Sequence, residues 1–516
     1  MAEVEEIAST LENLRARMVD LVVRGLASVA AGDLSTLESL TDIYERQGLA
    51  HITSRLRAML HAITSDARNA PVALLSAYTS LHVFERVLSL EAAATAWEQA
   101  IASREDAAAE PAVAAPPATD LTGPTGPTGL TGLTGLTGLP VPEQKQLAAL
   151  LEELARAIED LVRTGLTSAT EATRQKLDAS FKEASRMKLL RLGATLRYVN
   201  EEVGRFLARS EAFSARRFVF FTHRAWLLAR GLGEALQEKN DRVLARLSGA
   251  GAHAPTPIRS LDVVTLGVFS RTVQNTCTFD FRLRVVKADD PAHVGRSLVF
   301  GLVFARKSAD ITAEAFLHLP QPQKYHPKVF SERMVLTVTG AAIALDERGG
   351  GRLLLGPKAT VTQQGKPAGG WAPYHEWQMG LALARSRAHA PSPLDLSNEL
   401  QEEVVLADWS CEEDKARATP ERRIFTVTAA GLELDAVVPT GADGKALARH
   451  LEAHAKRKPG PAKSPAAPAP LYGLVHYELG RLVLTPLATL GADGPLHLML
   501  SNEKINLAAL LGSLQL

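Results

Sequence analysis

Apolar residues recur at helical spacing over roughly the first half of the chain and then give way to alternation. Leu11, Leu14, Met18, Leu21 and Val22 lie three or four positions apart, as do Leu151, Leu154, Ile158, Leu161 and Val162. That spacing puts each set on one face of a helix. Leu49, Ile52, Leu56, Met59 and Leu60 predict a later helix, matched by Leu189, Leu192, Leu196 and Val199. Asp33 or Ser35 is placed to cap one helix, and Asn69-Ala-Pro71 breaks the chain before another. From about Ile258 the pattern changes. Val263–Phe269, Cys277–Val286 and Leu298–Phe304 are rich in β-branched and aromatic residues and predict strands.

The helical sets are related. Residues 11–28 superpose on residues 151–168 at an offset of 140, pairing Leu11/Leu151, Asp20/Asp160, Gly25/Gly165, Leu26/Leu166 and Ser28/Ser168. Without a gap the same offset keeps Leu37/Leu177, Arg46/Arg186, Leu49/Leu189, Leu56/Leu196 and Arg57/Arg197 in step. One register held through a matched glycine predicts a duplication, with about four helices in each copy. The strand-rich half has its own internal likeness at an offset of 89, between Val335–Asp346 and Ile424–Asp435. Both predict a strand, a tight turn and a returning strand, and Gly473–Leu484 predicts a third hairpin. A short helix is expected near Glu503–Leu511.

Composition sets the boundaries. The expected order is helical copy 1 (1–106), an Ala/Pro and glycine-triplet linker (107–142), helical copy 2 (143–248) and a short linker (249–257). A β-rich domain (258–395), a hairpin with a helix (396–455), a Pro/Ala/Lys linker (456–470) and C-terminal hairpins with a short helix (471–516) follow. The expected class is multidomain α+β: an all-α half of two duplicated bundles, then mainly antiparallel β, sandwich or barrel-like, with a few helices. Glycine stands at every third place from Gly123 to Gly138, the period of a collagen triple helix. Thr and Leu fill most other places in so short a run, and a flexible spacer is the expectation.

Basic and acidic residues balance at 57 each, so the whole chain carries no charge that would select nucleic acid or an anionic membrane. The halves of the helical region differ. Residues 1–110 hold 9 basic and 16 acidic side chains, and residues 141–250 hold 19 and 14. Opposite signs on two copies of one fold favour their docking on each other. The basic copy could alternatively receive an acidic ligand, with Arg186, Lys188, Arg191, Arg216 and Arg217 near Phe218, Phe220, Phe221 and Trp226. Two cysteines make no disulfide framework. No stretch reaches about 18 uninterrupted apolar residues, and the acidic N-terminus is no secretory signal, so a cytoplasmic location away from membranes is expected.

The chain carries only fragments of catalytic and metal-binding motifs. Gly441-Ala-Asp-Gly444-Lys445 has glycines too close for a phosphate loop and reads as a turn, like Gly491-Ala-Asp-Gly494. His450 and His454 lie one helical turn apart without the adjoining Glu of a zinc protease. Asp280 with Lys287, or Asp435 with Lys445, would supply a nuclease-like metal site but lack its spacing. The aromatic cluster Trp371, Tyr374, His375 and Trp377 could form a partner pocket or pack a loop on a sheet. No catalytic, metal or cofactor residue is assigned and no cofactor is expected. The leading expectation is a non-enzymatic scaffold or adaptor for other proteins, with an accessory subunit of a bacterial multiprotein system as one form of it. The alternatives are a metal-dependent hydrolase in the β half and a nucleic-acid-binding subunit using the basic copy.

Overall fold

The computed structural model describes residues 2–107, 141–249, 255–273, 276–306, 312–345, 350–375, 379–395, 400–456, 469–478 and 481–501. The triplet tract, most of the 456–470 linker, Trp377 and the segment expected to form a C-terminal helix lie outside them. The protein is α+β, with a helical N-terminal half and a C-terminal half made mostly of strands. It divides into two compact units. One comprises Met1–Leu88, Pro111–Ala252 and Ala390–Asp395, the other Ser89–Glu110, His253–His389 and Leu396–Leu516.

In the first unit, helices α1 (Ala2–Arg24), α2 (Ala31–Arg46), α3 (Ala50–Ser65) and the first part of α4 (Ala70–Ala107) are followed by α5 (Val141–Thr164), α6 (Glu171–Arg186), α7 (Leu190–Leu207), α8 (Ala215–Gln237) and α9 (Asp241–Ser248). Boundaries recur at the offset of 140. α1 and α5 end at Arg24 and Thr164, glycine follows, and 3-10 turns occupy Leu26–Ser28 and Leu166–Ser168. Local chemistry recurs too. The backbone N–H of Ala30 donates to Asp33 (3.0 Å) and that of Thr170 to Thr173 (3.2 Å), each three residues into the next helix. Asp33 thus works from the third helical position, where it also accepts two bonds from Arg24.

The two segments share one core, in which Leu14, Met18 and Leu56 join Leu154, Ile158 and Leu196. Their contact is reciprocal. Gly25 (φ +90°) lies against the backbone of Thr164 and Gly165, and Gly165 (φ +80°) lies against that of Arg24 and Gly25. Further along, Thr79 of α4 meets His223 of α8, with Oγ1 2.8 Å from Nε2. The reciprocal contact of Gly25 and Gly165, equivalent at the offset of 140, is the mark of a two-fold contact.

In the second unit, β1 (Thr256–Val273), β2 (Thr276–Ala288), β3 (Ser297–Ala305), β4 (Val335–Leu345) and β5 (Gly351–Gly365) close a barrel in the order β1-β2-β3-β5-β4. Its strands pair antiparallel except β3 with β5, which run parallel. Alternation in β2 sends Cys277, Phe279, Phe281, Leu283 and Val285 inward. A seven-stranded sheet is built from β6 (Glu402–Leu406), β7 (Ser410–Glu413), β8 (Arg422–Ala429), β9 (Leu432–Pro439), β10 (Leu471–Glu478), β11 (Arg481–Gly491) and β12 (Gly494–His497). Helix α10 (Met379–Ala388), helix α11 (Ala442–Ala455) and Trp97 and Ala100 from the far part of α4 pack into its core.

Two local expectations change. Val335–Leu345 is one strand, not a hairpin. Gly340 alone of this strand has positive φ (+62°), and the pairing with β5 shifts register there, Gly340 standing opposite residues 356–359. Its counterpart turns fully because Ala430 (φ +51°) and Gly431 (φ +76°) both adopt that sign, which a two-residue type I′ turn requires. Gly441–Gly444 opens α11 instead of forming a free turn, and Asp443 there accepts a bond from the backbone N–H of Thr272 (2.8 Å).

Candidate functional site

The aromatic cluster singled out from the sequence lies in the second unit. Trp371 is only 2 % exposed and packs with Tyr472, Leu474, Leu487 and Leu490 of the sheet and with Val264 and Leu266 from the barrel wall. Gly494 is obligatory beneath it, since a Cβ there would stand 2.7 Å from the indole. Tyr374, 5.8 Å from Trp371 between ring centroids, and His375 are half-buried. Burial raises the Tyr374 pKa and lowers that of His375. Glu403 pins the barrel to the sheet nearby, accepting from Arg284 (3.0 Å) and Ser297 (2.8 Å). The outer wall of β1 at Val264 and Leu266 is thus covered by this chain's own sheet.

The other sequence candidates are spread apart. His454 stacks on Trp409 (3.6 Å between centroids, 9° between planes) with Nε2 3.2 Å from the Trp409 carbonyl oxygen, so its ring is engaged in packing. Asp435 has both oxygens on Arg417 (2.5 and 2.9 Å), with Lys445 elsewhere on α11. Asp280 and Lys287 sit seven residues apart along β2, whose pairing places them opposite Phe269 and Asp262 of β1. Among the described residues no three His, Cys, Asp or Glu side chains gather as metal ligands would. Cys277 is buried, and burial pushes the Cys411 thiol up to about 11. Neither thiol is activated.

The densest polar cluster in the first unit was not foreseen. His223 of α8 is buried against Tyr78 (4.8 Å between centroids) and Thr79, and His82 of α4 faces Glu85 (3.5 Å). Arg15 pairs with Glu85 and Glu12, and Glu12 also binds Arg216 (3.0 Å), which joins the two segments. Arg224 donates to the carbonyl of Leu394 (2.7 Å). Burial first, then the neighbouring cations, hold His82 and His223 neutral with pKa values of about 3. Neutral imidazoles locked among ring edges and arginines hold helices together.

The surface of α7 differs. Leu190, Ala194 and Tyr198, at spacing i, i+4, i+8, make one exposed stripe, with Leu190 58 % and Tyr198 44 % exposed. Tyr198 stacks on half-buried Phe221 of α8 (4.6 Å, 18°), which meets Phe220 edge-on (5.2 Å). Of the aromatics grouped with the basic residues in the sequence, Phe218 and Trp226 are core, and Trp226 donates to Glu159 (2.8 Å). Phe220 and Phe221 alone of that group approach the surface. Sequence reasoning missed Leu190 and Tyr198 because their spacing resembles a core stripe. The signal was available in the offset of 140: the partner positions are Ala50, Ser54 and Ala58, all exposed. One copy carries large apolar side chains where the other carries small ones.

Among the described residues no helix is long and apolar enough to cross a membrane. No family model matches the chain and no curated protein matches it. Two solved structures that do match are described as "Molecular basis for abrogation of activation of pro-inflammatory cytokines" and "Structural mimicry for functional antagonism". The first aligns at 10 % identity over 47 % of this chain and 94 % of its own, with a TM-score of 0.19. The second aligns at 10 % identity over 46 % and 92 %, again with a TM-score of 0.19. Likeness at that level carries no argument about fold or function.

Proposed function

We propose that this chain is a non-enzymatic adaptor that binds other proteins, and that the face formed by α7 and α8 is one of its docking surfaces. One observation carries the reading: Leu190, Ala194 and Tyr198 are exposed in one helical segment, while Ala50, Ser54 and Ala58 occupy the matching places in the other. Both sets lie on solvent-facing positions of otherwise similar helices, so folding of the unit does not require the larger side chains. An exposed tyrosine backed by a second ring is the type of anchor that dominates protein interfaces. On this reading the two segments arose by duplication, the first kept a plain surface, and the tract at 107–142 joins them as a spacer.

The test is affinity purification of the full chain beside its Leu190→Ser/Tyr198→Ser variant, with thermal melts to show that both fold. Proteins retained by the wild type and lost from the variant support the adaptor reading. An identical set on both, or a set released by nuclease, overturns it. Nuclease release would favour the nucleic-acid alternative.

A further inference from the structure

We infer that the occupant of the α7–α8 face is an acidic amphipathic helix, presenting apolar residues one turn apart between glutamates or aspartates. The inference rests on the adaptor reading above and names the chemistry of the partner. Geometry gives the first half of the argument. The stripe from Leu190 to Tyr198 is about 12 Å long at 1.5 Å per residue, two turns of helix. Leu190 and Ala194 leave a low, aliphatic end, and the Tyr198–Phe221 stack closes the other with an aromatic wall. A partner helix laid along it would present residues at i, i+3 or i+4 and i+7 to that row.

Charge gives the second half. Residues 171–207, which carry α6 and α7, hold 8 basic and 5 acidic side chains. The matching residues 31–67 hold 3 and 5, so the sign is reversed in the segment that lacks the stripe. Basic character and exposed apolar surface therefore arrived on the same helices. Arg191, Arg197 and Arg205 lie on the same helix; Arg191 donates to the carbonyl of Arg246 (3.1 Å), and the acids of this stretch are paired, Glu201 with Arg197 (3.1 Å) and Glu202 with Arg205. Lys188 stands at the turn into α7 in a left-handed conformation (φ +59°), where the first segment has Gly48 (φ +75°). A cation is thus kept at a position that favours glycine. Single-stranded nucleic acid would use a series of aromatic platforms. This row offers one exposed ring and two aliphatic side chains, which suits a peptide.

Selection from a displayed library of helical peptides against the full chain tests the inference, with the Leu190→Ser/Tyr198→Ser variant as counter-target. Peptides enriched on the wild type should carry apolar residues at i and i+4 with a net negative charge. They should bind the variant at least tenfold more weakly, and raising salt should weaken them further. Substituting Ala50 and Ala58 by Ser on the matching face should leave binding unchanged. Enriched peptides that depend on Tyr198 but carry no acidic bias would overturn this inference and leave the adaptor reading standing. If no peptide depends on the stripe, or a labelled single-stranded oligonucleotide binds in its place and is lost with Tyr198, both fall.

Discussion

Replacing Gly25 by alanine should strongly destabilise the helical unit. Gly25 has φ +90° and ψ 140°, a region essentially closed to side chains, and occupying it costs roughly 1–3 kcal/mol. The added Cβ would also stand 2.4 Å from the carbonyl carbon and oxygen of Thr164 and 2.5 Å from the Gly165 nitrogen. Those are backbone atoms that cannot rotate away, so α1 must separate from the turn after α5, a further overpacking cost of roughly 1–3 kcal/mol. A total of about 4 kcal/mol is a large part of the stability of a domain. For a unit of roughly 200 residues it corresponds to a fall in Tm of about 10 °C. Circular dichroism at a helical wavelength during heating, or in urea, reads the change. Gly32→Ala is the control, because its Cβ would meet nothing within 4 Å and its φ is ordinary. That variant should be neutral or gain about 0.5 kcal/mol. Gly165→Ala should match Gly25→Ala, and the double variant should lose less than the sum, since both open one contact. Equal melting of the Gly25 and Gly32 variants would refute the close backbone contact on which the two-fold arrangement rests.

Other outcomes follow from single features. Ala430→Asn should stabilise the second unit by about 0.5–1 kcal/mol in urea, because asparagine tolerates the φ of +51° in the β8–β9 turn better than alanine; a loss would contradict the type I′ assignment. Asp435→Asn should cost about 3 kcal/mol by leaving Arg417 without its buried anion, and a change under about 0.5 kcal/mol would show the pair to be dispensable. His82 and His223 titrate near pH 3 in the folded unit and near 6.5 when unfolded, so the unfolded chain takes up protons that the folded one refuses. Their contribution is intact above about pH 6.5 and is lost on acidification by up to ~1.4 kcal/mol per pH unit for each histidine. Urea melts of wild type and His223→Gln between pH 7 and pH 4.5 should show the shallower slope in the variant, and parallel slopes would refute the assignment.

Periodicity made the two halves of the fold legible, because a 3.6-residue repeat and a two-residue alternation bury different sets of positions. The offset of 140 located equivalent helix ends because a glycine with positive φ stands at each. Closure of the β half was beyond pattern reading. Whether it is a barrel depends on β1 pairing with both β2 and β4, and Val263 reaches both Val285 and Leu336. At Val335–Leu345 the sequence does not separate a strand with a register shift from a tight turn, since both use small residues and they differ in how many adopt positive φ. The same ambiguity hid the stripe. Leu190 and Tyr198 are hydrophobic at helical spacing, and only placement of Leu192, Leu196 and Val199 in the core puts them on the opposite side. Trp371 shows the converse: an unusual cluster in sequence is, at that residue, an ordinary solution to filling space between two sheets.

The short piece Ala390–Asp395 belongs to the helical unit although the chain on both sides of it belongs to the other. Leu394 packs on the helical core, and its carbonyl accepts the Arg224 bond. The helical unit is therefore not a contiguous stretch of the gene. A fragment ending near residue 252 would leave behind both the apolar cover and that acceptor for Arg224, a residue only 9 % exposed. The helical unit expressed without this excursion should therefore be less stable than within the full chain. Insertions into the 390–395 loop should accordingly be selected against more strongly than its position between two elements of the other unit would suggest.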